Sequence, residues 1–242
     1  MKTEGRNAVL ELLKTDKTVE KILMEKGAQG TLGKIFAEAR KKNIRVQFVD
    51  RAALDRESES GRHQGVIAFT TAYEYFDLED LIAPAEQKDG LIVLCDGVED
   101  VHNLGSILRV AECAGADGVV IPSVKGASVT EAVIRISAGA AEHIRVAKVP
   151  SVNYAVDELK KNGYWVYALE AGGECIYNAD LTGRIALVVG GEDSGVRRLT
   201  REKCDGVLSI PLFGKVNSLN ASVALGIGVY EVVRAREQRK NG

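Results

Sequence analysis

The architecture this sequence predicts is a doubly wound α/β domain with a parallel sheet, preceded by a smaller α/β domain. Three observations predict it. From residue 90 onward, six short and mostly continuous apolar runs recur, as strands buried on both faces require. Patterns of helical period lie between those runs. Within the first 70 residues, helix-like and strand-like stretches alternate, which suits a small domain with helices packed on a sheet. A chain of 242 residues has room for one large domain or two small ones.

The elements follow in order. GRNAVLELLK (5–14) places Val9, Leu10 and Leu13 at helical spacing, and VEKILME (19–25) is a strand-like run. TLGKIFAEARKK (31–42) repeats the helical pattern. RVQFV (45–49) and GVIAFTT (65–71) are rich in β-branched and aromatic residues and read as strands. ESESGRHQG (57–65) is polar and bounded by glycine, hence a loop. Residues 1–71 are therefore assigned to a front domain, and the acidic stretch 72–89 to a connection. In the domain 90–242 the predicted strands are 91–97, 118–122, 143–149, 164–170, 185–191 and 206–212. The predicted helices are 103–115, 128–139, 151–161 and 217–238. Ligand chemistry in such a sheet belongs at the C-terminal ends of the strands.

Composition narrows the function classes. Hydrophobic residues make up 45% and charged residues 27% of the chain, which is ordinary for a globular protein. No apolar run approaches the ~18 residues of a membrane span, and the charged start is unlike a signal peptide. Net charge is −2, from 32 basic and 34 acidic residues. Residues 1–70 carry 14 basic against 10 acidic, a net +4 on an otherwise acidic chain, the kind of asymmetry that marks a polyanion-binding module. Cys95, Cys113, Cys175 and Cys204 form no C-x-x-C pair, and His63, His102 and His143 are scattered. The expectation is reduced thiols, a cytoplasmic protein and no metal site. G-x-G-x-x-G, a P-loop and G-x-S-x-G are all absent, which removes the main signals for dinucleotide binding, nucleoside triphosphate binding and a serine nucleophile.

Three clusters remain. In DGVEDVHNLGSILRVAECAGADGVV (96–120) a strand runs into a polar loop and a helix, with Asn103 placed to cap it and Arg109 two turns in. Arg109 either snorkels to the surface or serves a site. In LVVGGEDSGVRRLT (187–200), Gly190 and Gly191 follow a strand, leaving backbone amides open to a ligand or simply forming a tight turn. Glu192 stands at the strand end, able to orient a hydroxyl or anchor a helix. In LSIPLFGKVNSLNASVALGIGVYEVV (208–233), Ser218, Asn220 and Ser222 open a long helix that is apolar on all sides. One of these three is a cap; three in five positions exceed what a cap needs. Such a helix must be buried on more than one face.

These clusters, in this order and spacing, resemble the three motifs of the SpoU family of RNA ribose 2′-O-methyltransferases, in the SPOUT superfamily. The carrying residues are N-L-G-S-I-L-R, G-G-E-x-x-G-V-R-R-L and I-P-L-F-G-K-V-x-S-L-N-A-S-V-A, within about residues 90–235. GRNAVLELL and RHQGVIA (62–68) resemble the substrate-binding domain of the subgroup that methylates a guanosine of 23S ribosomal RNA, a domain similar to ribosomal protein L30e. Leu212 stands where the third motif usually has Met, a volume-conserving change.

The resemblance implies an L30e-like α/β front domain, a SPOUT α/β domain with a parallel sheet and a C-terminal trefoil knot, and a homodimer. The helix 217–233, Val229 and Val233 included, is then expected at the dimer interface. It implies S-adenosyl-L-methionine as cofactor, held by Leu169 after its strand, by Gly190, Gly191 and Glu192, and by Ile210, Leu212, Ser218, Leu219 and Asn220. Asn103, Arg109, Glu192, Ser218 and Asn220 match the catalytic or substrate-positioning places. Transfer of methyl to a guanosine 2′-hydroxyl of 23S rRNA is the implied reaction, with transfer RNA as the alternative substrate. From another class, the chain would be a non-catalytic RNA-binding factor of ribosome assembly.

Overall fold

A computed structural model describes residues 2–15, 19–27, 30–42, 44–70, 73–82, 89–192 and 195–241. The chain divides into two compact units, Met1–Glu74 and Tyr75–Gly242.

The front unit runs β1 (Lys2–Glu4), α1 (Arg6–Leu12), β2 (Val19–Glu25), α2 (Thr31–Lys41), β3 (Arg45–Val49), α3 (Arg51–Glu57) and β4 (Val66–Thr70). Its sheet has the order β1-β4-β2-β3, with β2 and β3 parallel and β4 antiparallel to β1 and β2. Side chains alternate across β2. Ile22 and Met24 bury against Val9, Leu32 and Ile35 of α1 and α2, whereas Leu23 buries with Leu54 of α3 on the other face. The sequence reading lacks β1 and α3. β1 is three residues whose partners lie more than 60 positions away (Thr3 opposite Ala68), and α3 offers a single buried apolar side chain, Leu54. The polar stretch before β4 is pinned: His63, buried, accepts the Gly65 N–H at Nδ1 (3.0 Å) and donates from Nε2 to Asp55 Oδ1 (2.8 Å).

The second unit begins inside the stretch assigned as a connection. Phe76 bridges Ala147, and α4 (Leu78–Leu81) buries Leu78 and Leu81 in the core. Then come β5 (Leu91–Asp96), α5 (Val101–Cys113), β6 (Gly118–Pro122), α6 (Glu131–Ile136), β7 (Val146–Val149), α7 (Val152–Lys161) and β8 (Trp165–Cys175). β9 (Ile185–Gly190), α8 (Arg198–Lys203), β10 (Gly206–Ser209) and α9 (Ala221–Asn241) complete it. Six parallel strands lie in the order β10-β8-β9-β5-β6-β7. Every residue of β5, β6 and β9 is buried, which explains their unbroken apolar runs. The chain winds outward from β5 to β7, then returns to build β8, β9 and β10 on the other side. The reversal opens a crevice at the carboxyl ends of β5 and β9, where open α/β sheets bind ligands.

Several expected boundaries move, each for a local reason. α5 starts at Val101 because Asp100 caps it, accepting the Asn103 N–H at 2.8 Å, so Asn103 is not the cap. β8 does not end at Leu169. Ala168 pairs with Val207 and Glu174 with Leu208, so residues 169–173 bulge out of the ladder while the strand continues to Cys175. β10 stops at Ser209, leaving 210–212 outside the sheet. α9 starts at Ala221, not 217, and it is not buried all round. Leu225, Val229 and Val232 enter the chain's own core, while Val223 and Tyr230 are exposed. Val229 is therefore a core residue of the single chain and not an interface residue.

The four cysteines are free thiols. Among the described residues, no group of three His, Cys, Asp or Glu side chains lies close enough to hold a metal ion, and no helix is long and apolar enough to cross a membrane.

Candidate active site

Three stretches of backbone meet beside the crevice: the 169–173 bulge of β8, the end of β9, and the segment 210–220 between β10 and α9. They enclose a pocket of about 470 Å³. All nine positions expected to touch the cofactor line it, namely Leu169, Gly190, Gly191, Glu192, Ile210, Leu212, Ser218, Leu219 and Asn220. Glu170, Ala171, Gly195, Leu208, Asn217 and Ala224 line it as well, and the sequence reading did not name them.

The glycines at the end of β9 are demanded by the chain's approach to itself. A Cβ on Gly190 would run into the Gly195 carbonyl, and one on Gly191 into the carbonyl oxygen of Gly97. Both close approaches hold the β9 turn against its neighbours, which is the tight-turn alternative of the sequence reading, on the pocket wall.

At one side of the pocket three of the five candidate catalytic residues form a closed polar network. Asn103, buried, donates from Nδ2 to Glu192 Oε1 at 2.8 Å. Asn220 donates from Nδ2 to Asn103 Oδ1 at 2.8 Å and to Glu192 Oε1 at 3.1 Å. The Asn220 Oδ1 meanwhile accepts the Ser222 N–H (3.0 Å) and hydroxyl (2.7 Å) at the start of α9. Capping thus turns the Asn220 amide so that its NH₂ faces the other two motifs. Ser218 lies exposed on the pocket wall. Arg109 stands apart. It is exposed, six residues beyond Asn103 and so about 120° around α5 from it, and makes no hydrogen bond or ion pair among the described residues.

A second set of contacts, absent from the sequence reading, braces the site. Asp96, buried at the end of β5, accepts the Arg197 N–H at 2.9 Å, and the Arg197 guanidinium lies 3.2 Å from its other oxygen. Arg197 also donates to the Lys125 carbonyl at 3.3 Å, tying the loops after β5, β6 and β9 together. Glu170 pairs with Arg201 of α8 at 3.3 Å. An acidic residue ending an apolar run, as in LIVLCD, is the signal that would have found Asp96.

The sequence model of the SpoU rRNA methylase family matches residues 90–230, and that of the RNA 2′-O ribose methyltransferase substrate-binding domain matches residues 3–76. YacO of Bacillus subtilis (strain 168), classed with the TrmH-family tRNA/rRNA methyltransferases, is 43% identical over 236 residues, 96% of this chain and 94% of its own. The chain belongs to the SpoU methylase family. The fold agrees: the SpoU methyltransferase AviRb from Streptomyces viridochromogenes, solved with AdoMet, superposes with a TM-score of 0.64 at 24% identity, covering 100% of this chain and 91% of that one. The A. aeolicus TrmH/SpoU tRNA modifying enzyme is 30% identical with a TM-score of 0.57, over 67% of this chain and 82% of its own.

This SpoU-family chain is an RNA 2′-O-methyltransferase. The pocket suits the S-adenosylmethionine expected from the sequence on its own terms. Its volume lies within the roughly 300–1,000 Å³ of small-molecule sites. Leu208, Ile210, Leu212 and Leu219 offer an apolar wall for a flat base. Among the described residues, two carboxylates, Glu170 and Glu192, and no Lys or Arg line it, which matches a cofactor of net positive charge.

Proposed function

We propose that this enzyme methylates the ribose 2′-hydroxyl of a guanosine in 23S ribosomal RNA, the front unit holding the RNA and the second unit the cofactor. The observation that carries the reading is the Asn103–Glu192–Asn220 network on the pocket wall, which joins all three motifs at one point. A network with each member hydrogen-bonded supports a working centre over a non-catalytic assembly factor. The R-H-Q-G sequence of the loop before β4 favours ribosomal over transfer RNA. Both RNAs are cytosolic, which places the proposed reaction there.

S-adenosylmethionine, when bound, supplies a methyl group already activated by its sulfonium. The chain's own residues align the acceptor and manage charge. Leu169, Gly190, Gly191, Ile210, Leu212 and Leu219 hold the cofactor. Glu192, fixed through Oε1 by two amides, keeps Oε2 for a hydroxyl, and Ser218 offers a second hydrogen-bonding group. Negative charge grows on the ribose oxygen as it attacks. Arg109, which stays protonated, stabilises that charge, and an RNA phosphate takes the proton.

Within one chain Arg109 points away from the network, so we assign it to the site of a second copy in a homodimer. Phe213, 97% exposed, and Val216 in segment 210–220, with Val223 and Tyr230 on α9, are the exposed apolar side chains that such a dimer would cover. The reading also includes the C-terminal knot. It is supported by the path of segment 210–220, which leaves β10 at the sheet edge, lines the pocket and continues into α9 packed on α5 and β9.

Methyl-labelled cofactor, offered with unmodified 23S rRNA and separately with unmodified tRNA, tests the substrate. Label is expected in an alkali-resistant guanosine dinucleotide of the rRNA. Label in tRNA alone would move the reading to transfer RNA; cofactor binding with no transfer to either would return the chain to the assembly-factor class.

A further inference from the structure

The positive charge of the front unit is concentrated in one place. Residues 31–51 hold six basic side chains against two acidic, net +4, and the rest of the first 70 residues is balanced at eight against eight. In the fold this segment is α2, β3 and the start of α3, and β3 is an outer strand of the four-stranded sheet. Lys34, Arg40 and Arg45 are exposed, and none is paired with a carboxylate among the described residues. Elsewhere in the unit Lys14 pairs with Glu11 at 2.7 Å and Lys2 with Glu57 at 3.2 Å. The acidic residues nearest the cluster are already engaged, Glu38 by Lys41 at 2.7 Å and Asp50 by Lys26 at 3.0 Å.

An aromatic surface adjoins this charge. Phe48 of β3 is 44% exposed, and its ring centroid lies 5.4 Å from that of Phe36 on α2. The Arg40 guanidinium stands 5.8 Å from the Phe36 centroid. Edge strands carry charge to discourage pairing with another sheet. That purpose accounts for Arg45, but it is defeated by an exposed phenyl ring in the same strand. Arg40 beside the Phe36–Phe48 pair, with Arg45 on the opposite face of the same outer strand, gives this edge what single-stranded nucleic acid requires, phosphates on the charges and a base against the ring.

We propose that the α2–β3 edge is the surface on which the front unit holds unpaired RNA, with phosphates on Lys34, Arg40 and Arg45 and a base stacked on Phe48. The proposal rests on the reading of this unit as RNA-binding and specifies where and in what form the RNA is held. It fits a substrate whose target ribose lies in or near a loop, since a paired strand offers no free base face.

The test uses full-length protein and fluorescein-labelled RNA, a dodecamer of uridylate and a 12-base-pair duplex. K34E/R40E/R45E is expected to weaken binding of the single strand at least about tenfold and to flatten the plot of log affinity against log salt by about 2, from three lost phosphate contacts. K14E/R56E/R62E, the same charge change elsewhere on the unit, is expected to have far less effect. Phe48→Ala is expected to cost at least about fivefold on the single strand, with Phe48→Tyr restoring it. A thermal melt and a cofactor titration check that each variant is folded, and K34Q/R45Q replaces the triple variant should that one melt early. Loss in the control variant and none in the patch variant overturns the surface while leaving an RNA-binding front unit. No loss in either, with wild-type binding intact, overturns both. Equal binding of duplex and single strand, or an inert Phe48→Ala, overturns the unpaired form.

Discussion

A single side chain, Asn220, shows how this site is assembled. Its oxygen closes the start of α9 and its NH₂ reaches Asn103 and Glu192, so helix capping and site geometry share one amide. The excess of polar residues at 218–222 has its explanation there: a cap needs one acceptor, the Asn220 oxygen, which Ser222 meets with its N–H and hydroxyl, while Ser218 lines the pocket. Arg109 presents the opposite case, an exposed guanidinium with no partner among the described residues of its own chain. In a purely solvated role, Arg109→Ala would shift stability by under about 1 kcal/mol and leave turnover intact. As the group that stabilises a developing alkoxide it should cost roughly 100-fold in single-turnover methyl transfer, with cofactor affinity and melting temperature unchanged. Lys at 109 should restore little, because an ammonium lacks the planar fork. Near-normal turnover of folded Arg109→Ala would remove this residue from the mechanism.

Among the elements, the shortest ones do the bracing. β1 brings Glu4 beneath the loop 58–60, where its carboxylate accepts from the Ser58 hydroxyl (2.6 Å), the Glu59 N–H (2.6 Å), the Ser60 N–H (3.3 Å) and the Ser60 hydroxyl. These bonds, the Ser58 hydroxyl foremost, hold its pKa down at about 2 instead of 4.5. A carboxyl whose folded pKa is depressed adds stability that is present above its unfolded pKa and is lost as pH falls through the folded one. Denaturant midpoints measured from about pH 5 to about pH 2 should therefore fall less steeply for Glu4→Gln than for the wild type. Identical slopes would show that the loop does not depend on this ion. In β8 the bulge at 169–173 turns a strand into a pocket wall. Gly173 permits it, since a Cβ there would strike the Val207 carbonyl.

At the level of the whole molecule, α9 separates two roles. One face, through Leu225, Val229 and Val232, completes the core of its own chain; the other leaves Val223 and Tyr230 in water. An exposed apolar helix face, like the exposed Phe213, is stable in solution once a second copy covers it. Tyr230→Glu or Val223→Glu should accordingly yield folded monomers in light scattering, whereas Val229→Glu should unfold the protein instead. A wild-type monomer at micromolar concentration would contradict the dimer.

The sequence by itself determined the alternation of helices and strands from residue 90, the parallel character of the large sheet and the family, because buried strands must be continuously apolar and motif spacing survives without coordinates. It also located the charge asymmetry of the first 70 residues. Only the tertiary structure decided which side chains meet. β1 and α4 are too short to carry a periodicity, and α3 offers a single buried apolar side chain, Leu54. The Asp96–Arg197 contact, the excursion of β8 and the exposed face of α9 likewise depend on pairings across about 40 to 100 residues. Local pattern reports what a segment prefers to bury. It does not report what it is buried against, and in this protein the pocket is made of the second.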